Sequence, residues 1–84
     1  MAEISFRDQT LVVDMLLAAR DALSFIHGIS ETDFIDSRQI QNAVIRSLEI
    51  IGEAASKMSS GQKAECPEIS WREIVGMRHR LVHG

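Results

Sequence analysis

At 84 residues the chain has room for one domain. It can bury only about 60–65% of its unfolded surface, so pairing with a second copy is an expected source of further burial. Hydrophobic residues at 45% exclude a disordered chain, and five glycines with a single proline are few for an all-β chain rich in turns. The net charge of −3 excludes nucleic-acid binding through bulk charge, but it is unevenly spread: residues 1–70 carry −5 and residues 71–84 carry +2. Any contact with a polyanion must therefore be focused on the C-terminal stretch.

A lone cysteine, Cys66, cannot form an intrachain disulfide, which fits a reducing compartment. No signal-peptide core follows the acid at Glu3, and the longest apolar run, Met15 to Ala19, is far too short to span a bilayer. The expectation is a soluble cytoplasmic protein with no membrane partner and no cofactor.

Met1 to Ile4 read as a loose terminus. Ser5 caps a helix, with Asp8 completing a pair of the capping-box kind. That helix runs from Phe6 to about His27. Val12, Leu16, Ala19, Leu23 and Ile26 form one apolar stripe, and Leu11, Met15, Ala18, Ala22 and Phe25 form its neighbour. Together they are wider than one partner helix needs, so the helix packs against two others or contributes to a dimer seam. Gly28 stops it, with His27 in the last turn.

Ile29 to Ser37 is read as a connection rich in turn and cap formers, with Phe34 and Ile35 tucked onto the core. A second long helix spans about Arg38 to Met58. Its core stripe is Ile40, Val44, Leu48, Ile51 and Ala55, with Ala43, Ser47 and Ala54 beside it. Gly52 costs this helix roughly 1 kcal/mol against alanine and, with Ala55, offers a place where another helix can approach closely. Arg46, Glu49 and Glu53 form a charged face; either it is simply solvated, or a glutamate on it steers an arginine from the C-terminal stretch.

Ser59-Ser60-Gly61 ends the helix, and Gln62 to Glu68 is a polar loop with space for one helical turn before Pro67. Ser70 opens the last helix, with Glu73 in the capping-box position. Trp71 anchors it in the core; base stacking is the other use open to it. Ile74, Met77 or Arg78, and Leu81 continue the apolar stripe, and Gly76 is expected to bring this backbone near the second helix. The domain is thus all-α, residues 1–84, with two long helices and a shorter C-terminal one.

The chemistry-bearing residues sit in that last helix. Arginine is a permanent cation with a fixed fork of donors for phosphate, and histidine moves protons near neutral pH. At about 100° per residue, His79 and His83 lie about 40° apart, with Arg80 about 60° from His83. Arg78 lies about 140° from His83, so the two do not form a pair on one face. Their meeting would require a long reach around the helix, or a His83 supplied by a second chain. A metal site at His79 and His83 is set aside, because two ligands are too few and no third is evident.

Two segments, Ala43-Val-Ile-Arg-Ser-Leu-Glu-Ile-Ile-Gly-Glu-Ala and Pro67-Glu-Ile-Ser-Trp-Arg-Glu-Ile-Val-Gly-Met-Arg78 through Leu-Val-His83, resemble the second long helix and signature segment of the HEPN superfamily, specifically the HepT-like toxins. The superfamily motif of arginine, a polar residue, three more and histidine maps onto Arg78, His79 and His83. The resemblance implies an antiparallel helical bundle of HEPN type. It also implies a metal-independent RNA endonuclease, usually a homodimer, paired with a nucleotidyltransferase antitoxin of the MntA type. In that reading Arg78, His79 and His83 are catalytic, and Arg72 and Arg80 bind the RNA. The family commonly continues His-x-Tyr, the tyrosine being where the antitoxin adds AMP. This sequence stops at Gly84, so that tyrosine and the bundle's closing helix are expected to be missing from it. The alternative is a non-catalytic helical module that binds a nucleotidyltransferase.

Overall fold

A computed structural model describes residues 3–84. The expectation for Met1 and Ala2 falls outside them. Five helices follow in order: α1 (Phe6–Ile26), α2 (Glu31–Asp36), α3 (Arg38–Lys57), α4 (Ser60–Glu65) and α5 (Trp71–His83). The described residues contain no strand, and the fold is the all-α one read from the sequence. The helix α3 is central: α1, α2 and α5 each pack on it, and no comparable contact joins α1 to α5. The shortest dimension, 20 Å, is about two helix diameters.

Helix ends are set largely by serines. The hydroxyls of Ser5, Ser30, Ser37 and Ser59 accept the N–H groups of Asp8, Asp33, Ile40 and Gln62, at 3.0 to 3.2 Å. Each satisfies an amide that the helix itself leaves free. The connection expected between the long helices therefore contains its own short helix, α2, and the turn expected before Pro67 is α4. At the end of α1, Gly28 takes a φ of 71°, a left-handed turn that suits glycine.

Of the two expected capping pairs, the one at Ser5 is made on the serine side, its hydroxyl accepting the Asp8 N–H, and the one at Ser70 is not formed. The Ser70 side chain makes no cap hydrogen bond, because its ψ of 66° departs from the extended backbone of the other serine caps. The Asp8 carboxylate reaches across to the far end of α3. There Oδ1 accepts from the Ser59 N–H at 3.2 Å and Oδ2 from the Ser59 hydroxyl at 2.6 Å. This bridge joins the first turn of α1 to the residues just past α3, so the two long helices run antiparallel. Asp8 is buried, yet its pKa is held below the ordinary value. The Ser59 hydroxyl does most to lower it, against the opposing effect of burial, with the Ser59 N–H, Ser5 and Arg7 adding to the lowering.

The deepest positions are small. Ala18, Ala54 and Ala55 are buried, with Met58 the one long apolar side chain among them. On α1 the buried apolar residue, Ala18, marks the side that faces inward. Ala18 goes in, flanked by half-buried Leu11, Met15 and Ala22. Leu16 and Leu23 stay 59% and 65% exposed, because α3 alone covers α1 and cannot cover both stripes; of the two outcomes expected for so wide a face, packing against two helices is not made within one chain. Phe25 and Ile26 are exposed as well, and so is Ile35, while Phe34 alone of its pair is half-buried. The α3 stripe falls as expected, with Ser47, Ala54 and Ala55 buried and Ile40, Val44, Leu48 and Ile51 half-buried.

Candidate functional site

The helix α5 presents the arginines and histidines, and its docking on α3 decides which of them remain available. Trp71 anchors its first turn. The indole is half-buried and its Nε1–H donates to the Cys66 carbonyl at 3.1 Å. Ile74, Val75, Met77 and Leu81 are half-buried along the helix.

Arg78 belongs to this inner side. It is half-buried against the one glycine within α3, and a Cβ added at Gly52 would overlap its own Cβ. The close approach expected at Gly52 is therefore made, and Arg78 makes it. Gly76 plays no such part: an added Cβ there would meet only Nη1 of Arg80, 3.7 Å away. Arg80 lies back over its own helix at that point.

On the outer side, His79 and His83 are both exposed and face each other. Their ring centroids are 4.5 Å apart, with planes tilted by 52°. This is the juxtaposition expected from a spacing of four. Arg72 is exposed too and lies within about 20° of His83 on the helix wheel, though about 16 Å away along the axis. The structure thus groups His79 and His83, with Arg80 exposed beside them and Arg72 further along the same face. Among the described residues no hydrogen bond joins Arg78 to either histidine. The 140° phase difference appears as an inward arginine and an outward imidazole pair.

The charged back of α3 is assembled mainly from its own residues. Glu53 accepts from Lys57 Nζ at 3.1 Å, and Arg46 stands 3.8 Å from Glu49. The Glu53 pKa is lowered first by its hydrogen bond and ion pair with Lys57. Arg78 and then Arg46 contribute at longer range, against a raising effect of burial. A glutamate on α3 therefore does feel Arg78, although Lys57 is its direct partner.

Such an arrangement can take up and return a proton at adjacent imidazoles while arginines hold an anion. Among the described residues no three histidine, cysteine, aspartate or glutamate side chains converge as a metal site. No described helix is long and apolar enough to cross a membrane.

Residues 15–84 match the family described as Ribonuclease HepT-like. The chain is 38% identical over 81 residues to “Putative RNase MJ1380” of Methanocaldococcus jannaschii, an overlap covering 95% of this chain and 74% of that one. It is 35% identical over 75 residues to “Putative RNase MJ0125” of the same organism, covering 89% and 65%. With “Probable ribonuclease HepT” of Thermococcus cleftensis it shares 46% identity over 59 residues, 70% of this chain and 54% of that protein. The chain thus spans between about half and three quarters of the length of these relatives. No solved structure matches it significantly.

Proposed function

We propose that this chain, which belongs to the HepT-like ribonuclease family, cuts RNA without a metal ion at a site built from Arg78, His79 and His83 of two copies. His83 takes the proton of a ribose 2′-hydroxyl, and the freed oxygen attacks the neighbouring phosphorus. The bond from phosphorus to the 5′ oxygen of the next nucleotide breaks. That oxygen leaves with a proton from a protonated imidazole, and His79 is close enough to His83 to share the transfer. Arg78 offsets the charge that builds on the phosphoryl oxygens. Arg80 and Arg72 contact the flanking backbone phosphates, which position the strand without reading its sequence.

The observation that carries this reading is the exposed imidazole pair, 4.5 Å between centroids, on a helix whose opposite side is docked. Helix phase supports the two-copy site. Arg78 points toward α3 of its own chain, so its phosphate is met more directly by a His83 from a second copy. In the cell we place the protein in the cytoplasm as the toxin of a toxin–antitoxin pair whose antitoxin is a nucleotidyltransferase.

A second reading is a non-catalytic module that docks on such a nucleotidyltransferase. The exposed apolar side of α1, including Leu16 and Leu23, favours it. One experiment separates the two. Purified protein is incubated with RNA in EDTA and the fragment ends are analysed. Fragments ending in 2′,3′-cyclic phosphate, absent with His83→Ala, support the ribonuclease. Intact RNA together with a stable nucleotidyltransferase complex supports the docking module.

A further inference from the structure

Glycine inside a helix costs roughly 1 kcal/mol against alanine, so an interior glycine calls for a reason. At Gly52 the reason is not conformational, since among the described residues positive φ occurs only at Gly28 and Gly84. It is spatial. Gly52 is buried, and a Cβ placed there would overlap Cβ of Arg78 and stand 3.0 Å from its Cγ and 3.3 Å from its Cα. Neither Cα nor Cβ can retreat by a rotamer change, so relief requires moving the α5 backbone. Gly61, by contrast, has nothing within 4 Å of an added Cβ.

We propose that Gly52 is a positioning residue for Arg78: its missing side chain lets α5 settle onto α3 at that point and so fixes where the guanidinium emerges. The role rests on the ribonuclease reading above, in which Arg78 holds the scissile phosphate. Glu53, the next residue of α3, carries a carboxylate that responds to the Arg78 charge, so the guanidinium lies within electrostatic reach of the same turn. A methyl group at position 52 would displace the base of Arg78 by something on the order of 1 Å. Errors of that size in a catalytic group can cost about 10²-fold in rate.

The test compares Gly52→Ala with Gly76→Ala, which carries the same gain in helix propensity but meets only a flexible side-chain end. Initial rates on an RNA oligonucleotide give kcat and KM, and NMR spectra follow the Arg78 Nε–H and the two imidazoles. The expected result for Gly52→Ala is a kcat lower by about 10- to 10²-fold with KM little changed. The Arg78 signal moves and the His79 and His83 signals stay, while Gly76→Ala keeps wild-type kcat. A folded Gly52→Ala with wild-type kcat and an unmoved Arg78 signal overturns the proposal. Should that variant fail to fold, Gly52→Ala/Arg78→Gly removes the whole Arg78 side chain, including the Cβ and Cγ that the new methyl would meet. Recovery of the melting temperature in the double variant upholds the contact, and no recovery overturns it. If the wild type leaves RNA intact, the ribonuclease reading fails, whereas the Arg78 signal in Gly52→Ala still decides whether Gly52 sets its place.

Discussion

The two helices that flank α3 differ in what they leave uncovered. On α1 the outward side sets large apolar residues among charged ones: Phe6, Val13, Leu16, Leu17 and Leu23 are all more than half exposed, beside exposed Asp14, Arg20 and Asp21. On α5 the outward side is polar, with Arg72, His79, Arg80 and His83 in solvent and Val82 as its exposed apolar residue. Both dock through small or missing side chains: Ala18 is the buried apolar residue of α1, and on α5 Arg78 seats over Gly52 of α3. What remains after docking decides what each helix can do. The surplus on α1 is hydrophobic surface, which gains from any cover of similar chemistry. The surplus on α5 is charge and proton-transfer capacity, which gains from an anion.

This contrast is broken most severely at His83. Replacing it with alanine is expected to lower RNA cleavage by about 10²- to 10⁴-fold, the range for loss of a general acid or base, while the melting temperature stays near wild type because the ring is exposed. Loss of folding in place of loss of rate would make the imidazole pair structural. Next in size is Ala54→Leu, which forces bulk into the α1–α3 contact. Overpacking of this kind costs about 1–3 kcal/mol, and denaturant unfolding should show it as a lower midpoint. An unchanged midpoint would mean that α1 is not held by close approach.

Asp8 sharpens the same contact through pH. Its pKa is lowered in the folded chain, so its stabilising effect is complete above the ordinary value of 3.8 and is lost as pH falls through the lower folded value. The melting temperature of the wild type should therefore drop on acidification below about pH 4. Asp8→Asn should melt lower than wild type at neutral pH and show a shallower acid drop. Equal slopes for the two proteins would exclude the Ser59 bridge as the cause. The smallest effect is expected at Leu23→Gln. An exposed position should change folding stability by no more than about 0.5 kcal/mol, and sedimentation should show weaker self-association or partner binding if the α1 face is covered in the assembly.

The long helices were legible because their apolar spacing continues over several turns, and their ends because serine and glycine mark them. The helix α2 was not, because six residues hold too few apolar positions to display a period, and the same serines and aspartates serve turns equally well. Which stripe of α1 turns inward was also hidden. Spacing alone offers both stripes, whereas in the fold the smaller Ala18 is buried and Leu16 and Leu23 stay exposed. The partner of Asp8 stands 51 residues away, beyond any capping pattern, although an acid in the first turn was a visible signal. In the candidate site, the facing of His79 and His83 and the separation of Arg78 both followed from 100° per residue. The occupant of the space at Gly52 did not, because periodicity describes one helix and this contact belongs to two.

The lone tryptophan gives the protein a built-in optical probe. Its indole is fastened to the carbonyl of Cys66 at the turn that feeds α5, and Trp71 is that helix's first residue. Its emission therefore tracks the seating of one helix, whereas far-ultraviolet dichroism reports all five at once. Undocking of α5 with the other helices intact would register as a red shift ahead of any loss of ellipticity, so both signals recorded in a single melt would time the release of the arginines and histidines against collapse of the whole bundle.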